Sequence, residues 1–154
     1  MPSWLGPPDG RFADRSDAGR RLAAKLGHLR GKDVLVLGLP RGGVAVAYEV
    51  AKALDAPLDI VVARKLGAPD QPELAIGAIA RGASVLRTEI IDMLGLRTAE
   101  IEAIAERERR RAEELEARLR HGRRAYDPAG RTVVVVDDGL ATGATATAAV
   151  RSVR

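Results

Sequence analysis

The sequence predicts an α/β chain built on an open parallel sheet, and three observations carry that expectation. Apolar runs without polar alternation stand at 33–39 (DVLVLGL), 58–63 (LDIVVA) and 131–136 (RTVVVV), the pattern of strands covered on both faces. Each leads directly into a polar, glycine-bearing segment, and helical patterns separate the runs, as in successive β-α-β units. Aromatic residues make up only 3% of the 154 residues against 46% hydrophobic, so the core must be aliphatic, which suits helices packed on Val, Ile and Leu strands. A chain of this length is expected to form one domain.

The elements follow in order. A Pro/Gly-rich tail occupies 1–13, and the domain runs from 14 to 154. Ser16 is a plausible N-cap for a first helix in which Ala18, Leu22, Leu26 and Leu29 recur at helical spacing before Gly31. The strand at 33–39 leads through PRGG into the helical stretch VAVAYEVAKALDA, and the strand at 58–63 closes the unit. Pro69 and Pro72 then mark an irregular loop, and AIGAIA, RGA and SVLR read as a hairpin, an excursion from the parallel sheet. From Thr98, a possible cap, one long amphipathic helix carries Ile101, Ala105, Glu108, Ala112, Leu115 and Leu119 along one stripe. The third strand at 131–136 precedes a last helix. No internal repeat or linker interrupts this order.

Composition narrows the chemistry. Cysteine is absent, which removes disulfides, thiolate metal sites and a cysteine nucleophile together. His28 and His121 are the only histidines, too few for a zinc cluster and leaving little room for a Ser-His-Asp arrangement. Carboxylates, Arg, Lys, hydroxyls and backbone amides remain. No apolar run approaches the roughly 20 residues that span a bilayer, and MPSWLGPPDGR lacks a signal-peptide core, so the expected setting is soluble and cytoplasmic. A net charge of +4 suits an anionic ligand and equally an arginine-rich surface. The arginines of the long helix alternate with Glu106, Glu108, Glu113, Glu114 and Glu116, which reads as a face laced with ion pairs rather than a nucleic-acid track. It also lacks aromatics for base stacking.

Parallel strands share a carboxyl edge, where LPRGG, ARKLGAP and DDGLATGAT would stand. If the third strand lies beside the first, opposite the second, the strand order reverses there and opens a ligand crevice. In DDGLATGAT a helix N-terminus offers unpaired amides and partial positive charge. Gly139, Ala141, Gly143 and Ala144 leave the approach open, and Thr142 and Thr145 add hydroxyl donors, which suits a phosphate monoester. The GK[ST] ending of a P-loop is missing. Asp137 and Asp138 would repel a second phosphate, but they can accept from vicinal hydroxyls or face a divalent cation. A sugar phosphate satisfies both halves; the plainer alternative is that one aspartate only caps the helix.

The string VVVVDDGLATGAT resembles the phosphoribosyl-pyrophosphate (PRPP) motif of type I phosphoribosyltransferases, with four apolar residues, two acids and T-G-x-T. That resemblance implies a Rossmann-like fold in which Asp137 and Asp138 meet the ribose hydroxyls, directly or through water facing Mg²⁺, and Ala141, Thr142, Gly143, Ala144 and Thr145 hold the 5′-phosphate. LPRGG resembles the family's pyrophosphate loop, often entered across a non-proline cis peptide, with Arg41 and Gly42 in those places. Arg64 and Lys65 resemble its second basic pair, also at the pyrophosphate, and the stretch around Glu73 to Arg97 corresponds to the family's mobile loop. The LPRGG, RKLG and ELAIGA segments are most similar to a bacterial branch whose acceptor they do not identify.

The implied activity is a Mg²⁺-dependent pentosyl transfer from PRPP to a small-molecule acceptor, within nucleotide metabolism, with Asp137, Asp138, Lys65 and Arg41 as catalytic residues. The family usually continues past the last helix, so the domain is expected to be incomplete at Arg154 and to self-associate. A non-catalytic PRPP or nucleotide sensor is the alternative.

Overall fold

The computed structural model describes residues 10–154. In chain order its elements are α1 (Arg15–Lys25), a 3-10 turn (Gly27–Leu29), β1 (Val34–Gly38), α2 (Gly42–Leu54), β2 (Leu58–Ile60), β3 (Ala63–Gly67), β4 (Ala75–Ala80), β5 (Ala83–Leu86), α3 (Thr88–Leu94), α4 (Thr98–Arg120), β6 (Thr132–Val136) and α5 (Ala144–Ser152). They form two compact units, one reaching Ile60 and including Ala125–Gly139, the other made of Val61–Arg124 and Leu140–Arg154.

The first unit holds the parallel sheet, in the order β2-β1-β6. The third predicted strand therefore does lie beside the first and opposite the second. Both ladders are parallel, and Gly38 of β1 stands level with Val136 of β6. All five residues of β1 are buried, as its unbroken apolar run requires. Ala23 of α1 and Val46, Val50 and Leu54 of α2 pack with Val34, Val36 and Val136, each large aliphatic contributing roughly 1.5 to 3 kcal/mol on burial. The N-cap of α1 is Asp14 rather than Ser16: its carboxylate accepts from the Asp17 amide at 2.7 Å. The earlier start places Asp17 in the first turn, where its charge suits the helix dipole and its carboxylate accepts from the Ala13 amide. Of the predicted tail, residues 1–9 lie outside the described residues, and in the remainder Phe12 lies under the Arg21 guanidinium.

The second unit is where the sequence reading needs correction. LDIVVA is not one strand; β2 stops at Ile60, and Ala63–Gly67 forms a separate strand in an antiparallel sheet ordered β3-β4-β5. Arg64 and Lys65 therefore sit within a strand, not in a loop beyond one. Charged residues in ARKLG disguise an alternation. Leu66 faces Ile79 and Ile104, whereas Ala63 packs with Ala78, Ala144 and Ala148. The expected hairpin is present, with Ala80 paired to Ala83. The stretch from Glu73 to Arg97 that holds this hairpin contributes a central strand, β4, whose six residues are all buried, then β5 and α3.

Helix α4 covers one face of this sheet through Ile104, with Ile101 and Ala105 beside it, and α5 covers the other through Ala144 and Ala148. Helix α4 begins at Thr98 with Arg97 as N-cap, whose amide donates to Glu100 at 2.9 Å. The expected ion pairs are there: Glu106 takes Arg109 and Arg110, and Glu116 takes Arg120. Glu108 differs from them, because it is buried.

Candidate functional site

In the first unit the carboxyl ends of β1 and β6 deliver two predicted segments side by side. The Leu39 amide donates to the Val136 carbonyl at 2.8 Å, and the chain then turns through a cis Pro40–Arg41 peptide into α2. Glycine is needed at the start of α2 because β6 runs so close. A Cβ on Gly43 would lie 2.7 Å from the Val136 carbonyl oxygen and 3.0 Å from the Asp137 Cα. A Cβ on Gly42 would overlap the Asp138 carboxylate and reach the Arg15 Nε at 2.8 Å. The structure thus brings Gly42, Asp137 and Asp138 together. Arg41, the N-cap of α2, is exposed, and its guanidinium pairs with no carboxylate among the described residues.

The two aspartates have different environments. Asp138 accepts from Arg15 Nε at 3.1 Å and Nη2 at 2.9 Å, both on Oδ2, and this guanidinium holds its carboxyl below the usual aspartate range. Burial pushes Asp137 up, and the charge of Asp138 adds to that, although Asp137 Oδ1 accepts from the Asp138 amide at 2.8 Å. Adjacent carboxylates driven apart in this way can hold different protonation states near one ligand. Sequence reasoning missed Arg15. It lies 123 positions from Asp138, and only its place after the Asp14 cap draws notice to it.

In the second unit the predicted phosphate loop enters α5. Gly143 caps the helix at φ +78°, a left-handed conformation that glycine adopts without strain. Thr142 Oγ1 accepts from the Ala144 amide at 3.3 Å, and the first backbone bond of the helix runs from the Thr147 amide to the Gly143 carbonyl at 2.9 Å. The amides of Thr145 and Ala146 stand in the first turn, where no intrahelical acceptor exists. Ala141 and Thr142 are exposed, while Ala144 is buried against β4.

Strand alternation separates the predicted basic pair. Lys65 shares the α5 side of β3 with Ala63, and its Nζ lies 3.4 Å from Glu73. Arg64 shares the α4 side with Leu66, where its Nε donates to Glu108 at 2.7 Å. Neighbours in sequence, they begin on opposite faces of the sheet.

For a metal, the donor set is limited: no group of three or more His, Asp or Glu side chains converges among the described residues. Two adjacent carboxylates fit Mg²⁺ that arrives bound to a phosphorylated substrate, since Mg²⁺ keeps several waters and is held by one or two carboxylates plus phosphates. No helix among the described residues is long and apolar enough to cross a membrane.

Comparison with known proteins agrees with this architecture. The crystal structure of TT1426 from Thermus thermophilus superimposes with a TM-score of 0.72 at 44% identity, covering 93% of this chain and 68% of that one. Curated proteins from two strains of Mycobacterium tuberculosis, CDC 1551 and H37Rv, named provisionally as phosphoribosyl transferases, are 53% identical over 148 residues. The match takes in 93% of this chain and 32% of theirs, so the chain spans about a third of the length of those relatives. The family model of the phosphoribosyl transferase domain matches residues 13–154, and with the parallel sheet ending in paired PRGG and Asp-Asp turns, the chain belongs to the type I phosphoribosyltransferase family.

Proposed function

We propose that this chain binds PRPP with Mg²⁺ and carries the ribose-phosphate half of a phosphoribosyl transfer to a small-molecule acceptor. The observation that supports this most is the packing of Gly42 and Gly43 against the Asp137–Asp138 turn, with the chain running on within a few residues to the Gly143 cap. A sugar phosphate needs that sequence of groups: carboxylates for vicinal hydroxyls, then amides and hydroxyls for a phosphate.

In this reading Asp138, kept ionised by Arg15, accepts from a ribose hydroxyl through its remaining lone pairs. Asp137 takes the neighbouring hydroxyl. Thr142, Thr145 and the first-turn amides of α5 hold the 5′-phosphate, with Ala141, Gly143 and Ala144 leaving it room. Arg41, Gly42 and Lys65 receive the pyrophosphate. When bound, Mg²⁺ offsets charge on the leaving pyrophosphate, and Asp137 and Asp138 would hold it through ribose or water. The acceptor nitrogen forms its bond to ribose C1 as the bond from C1 to the pyrophosphate oxygen breaks. The protein's task is positioning and electrostatic stabilisation.

Titration calorimetry with Mg·PRPP and with ribose 5-phosphate tests the binding, and an acceptor screen reading pyrophosphate release tests the transfer. PRPP should bind with Mg²⁺ dependence and ribose 5-phosphate should compete. No PRPP binding, or binding indifferent to Thr145→Ala, would sink the proposal. The second reading is a non-catalytic PRPP or nucleotide sensor. Tight PRPP binding with no turnover against any acceptor, in a protein extended to the length of the mycobacterial relatives, would select it.

A further inference from the structure

The second unit contains a cavity of about 720 Å³ on the α4 side of its sheet, lined in part by Arg64, Arg107, Glu108 and Arg111. Its size falls within the roughly 300 to 1,000 Å³ of small-molecule sites. At its base Glu108, with a side chain only 7% exposed, gathers three guanidinium groups. Arg64 Nε lies 2.7 Å and Arg111 Nη1 2.8 Å from its oxygens, and Arg107 Nε 3.5 Å.

One buried carboxylate needs one cation to balance it; here it has three. A guanidinium offers five N–H donors, and Glu108 takes a single hydrogen bond from Arg64 and another from Arg111, so most donors of this cluster are left to a ligand. Arg107 and Arg111 are more than half exposed, so an incoming anion can reach them. Lys65, which starts from the other face of the edge strand β3, and Glu73 also line the cavity but pair with each other at 3.4 Å, so the three guanidinium groups are set against Glu108 alone. Pro69, Pro72 and Ile104 supply an apolar wall.

We propose that this cavity is a second anion site, taking an organic phosphate that carries two or more negative charges and a flat apolar group. Glu108 pre-orients the guanidinium groups around the phosphoryl oxygens, where planar forks bind in a bidentate way, and the proline and isoleucine wall receives the flat group. The phosphate loop is a separate site, because none of Ala141, Thr142, Gly143, Ala144 and Thr145 lines this cavity. The inference does not rest on the PRPP reading.

The test uses the intact chain and ADP as probe in titration calorimetry at low ionic strength, with inorganic pyrophosphate and adenosine as comparison ligands. ADP should bind more tightly than pyrophosphate, and adenosine should not bind measurably. The double variant Arg107→Ala/Arg111→Ala should lose about tenfold or more in ADP affinity. The variant keeps the Arg64–Glu108 pair at 2.7 Å, so the fold should survive with a lower Tm, and a single cooperative thermal transition checks this. Thr142→Ala/Thr145→Ala should leave ADP affinity unchanged. Wild-type ADP affinity in the arginine variant, or a loss confined to the threonine variant, overturns the second site. Pyrophosphate binding as tightly as ADP overturns the organic part of the assignment.

Discussion

At the residue scale the aspartate pair makes the sharpest predictions. Asp137 has its carboxyl pushed up by burial, so ionising it opposes folding above its raised folded-state value, and protonation on acidification relieves that cost. Asparagine keeps the Oδ1 acceptor for the Asp138 amide, so Asp137→Asn should leave Tm at neutral pH unchanged or raise it while weakening PRPP binding. Asp138 shows the opposite sign. Its carboxyl is held down by Arg15, so the pair contributes above the unfolded aspartate value and is lost as pH falls through the lower folded value. Both partners are exposed enough that the contribution is at most about 1 kcal/mol. Arg15→Ala should therefore change Tm little but shift the acid limb of the PRPP affinity profile to higher pH; an unmoved profile would remove Arg15 from the site. Thr145→Ala should lose a hydrogen bond to a charged group worth about 1.5 to 3 kcal/mol in PRPP binding, measured by calorimetry. Thr142→Ala also frees the Ala144 amide it now caps, so its loss is less simply assigned.

At the scale of elements, the junction between α2 and β6 distinguishes two adjacent glycines. A methyl at Gly43 meets backbone, the Val136 carbonyl and the Asp137 Cα, which cannot move without shifting β6. Gly43→Ala should destabilise by about 1 to 3 kcal/mol, read as a lower midpoint in denaturant. A methyl at Gly42 meets side-chain atoms of Asp138 and Arg15, which can swing away. Gly42→Ala should lose less stability than Gly43→Ala but more PRPP affinity, because Asp138 is displaced; equal stability losses would contradict the packing described. In the second unit, burial pushes the Glu108 carboxyl up, and Arg64, Arg111 and Arg107 more than reverse that, leaving it below the usual range. The stabilisation is complete above the unfolded glutamate value and is lost as pH falls through the lower folded one. Glu108→Gln should flatten the loss of stability on acidification over that interval.

At the scale of the whole molecule, β6 pairs with β1 alone among the described strands, and a strand edge without a partner is a template for pairing with another chain. We expect the chain to self-associate, and light scattering over a range of concentrations checks this: a constant monomer mass would count against it.

Local chemistry made part of this protein legible before any fold was known. Unbroken apolar runs required strands covered on both faces, glycines followed those strands, and the Asp-Asp-Gly to Thr-Gly-Ala-Thr string needed only the consecutive residues 137–145 to be read. The order β2-β1-β6 was legible as a condition, since a parallel sheet leaves few arrangements once the ligand turns must share an edge. Relations between residues distant in sequence emerged only from the packed chain. LDIVVARKLG reads as one strand and a basic loop, because hydrophobicity does not record which sheet a backbone pairs with; the strands at 34–38 and 75–80 that pair with its two halves do. Arg64 and Lys65 look like one cationic patch until alternation places them on different faces of β3. Arg15 reaches Asp138 only because α1 packs on α2 within the first unit, and Glu108 becomes buried only because α4 covers β3. A carboxylate on an amphipathic helix has no local signal that tells solvent from three converging guanidinium groups; packing supplies them.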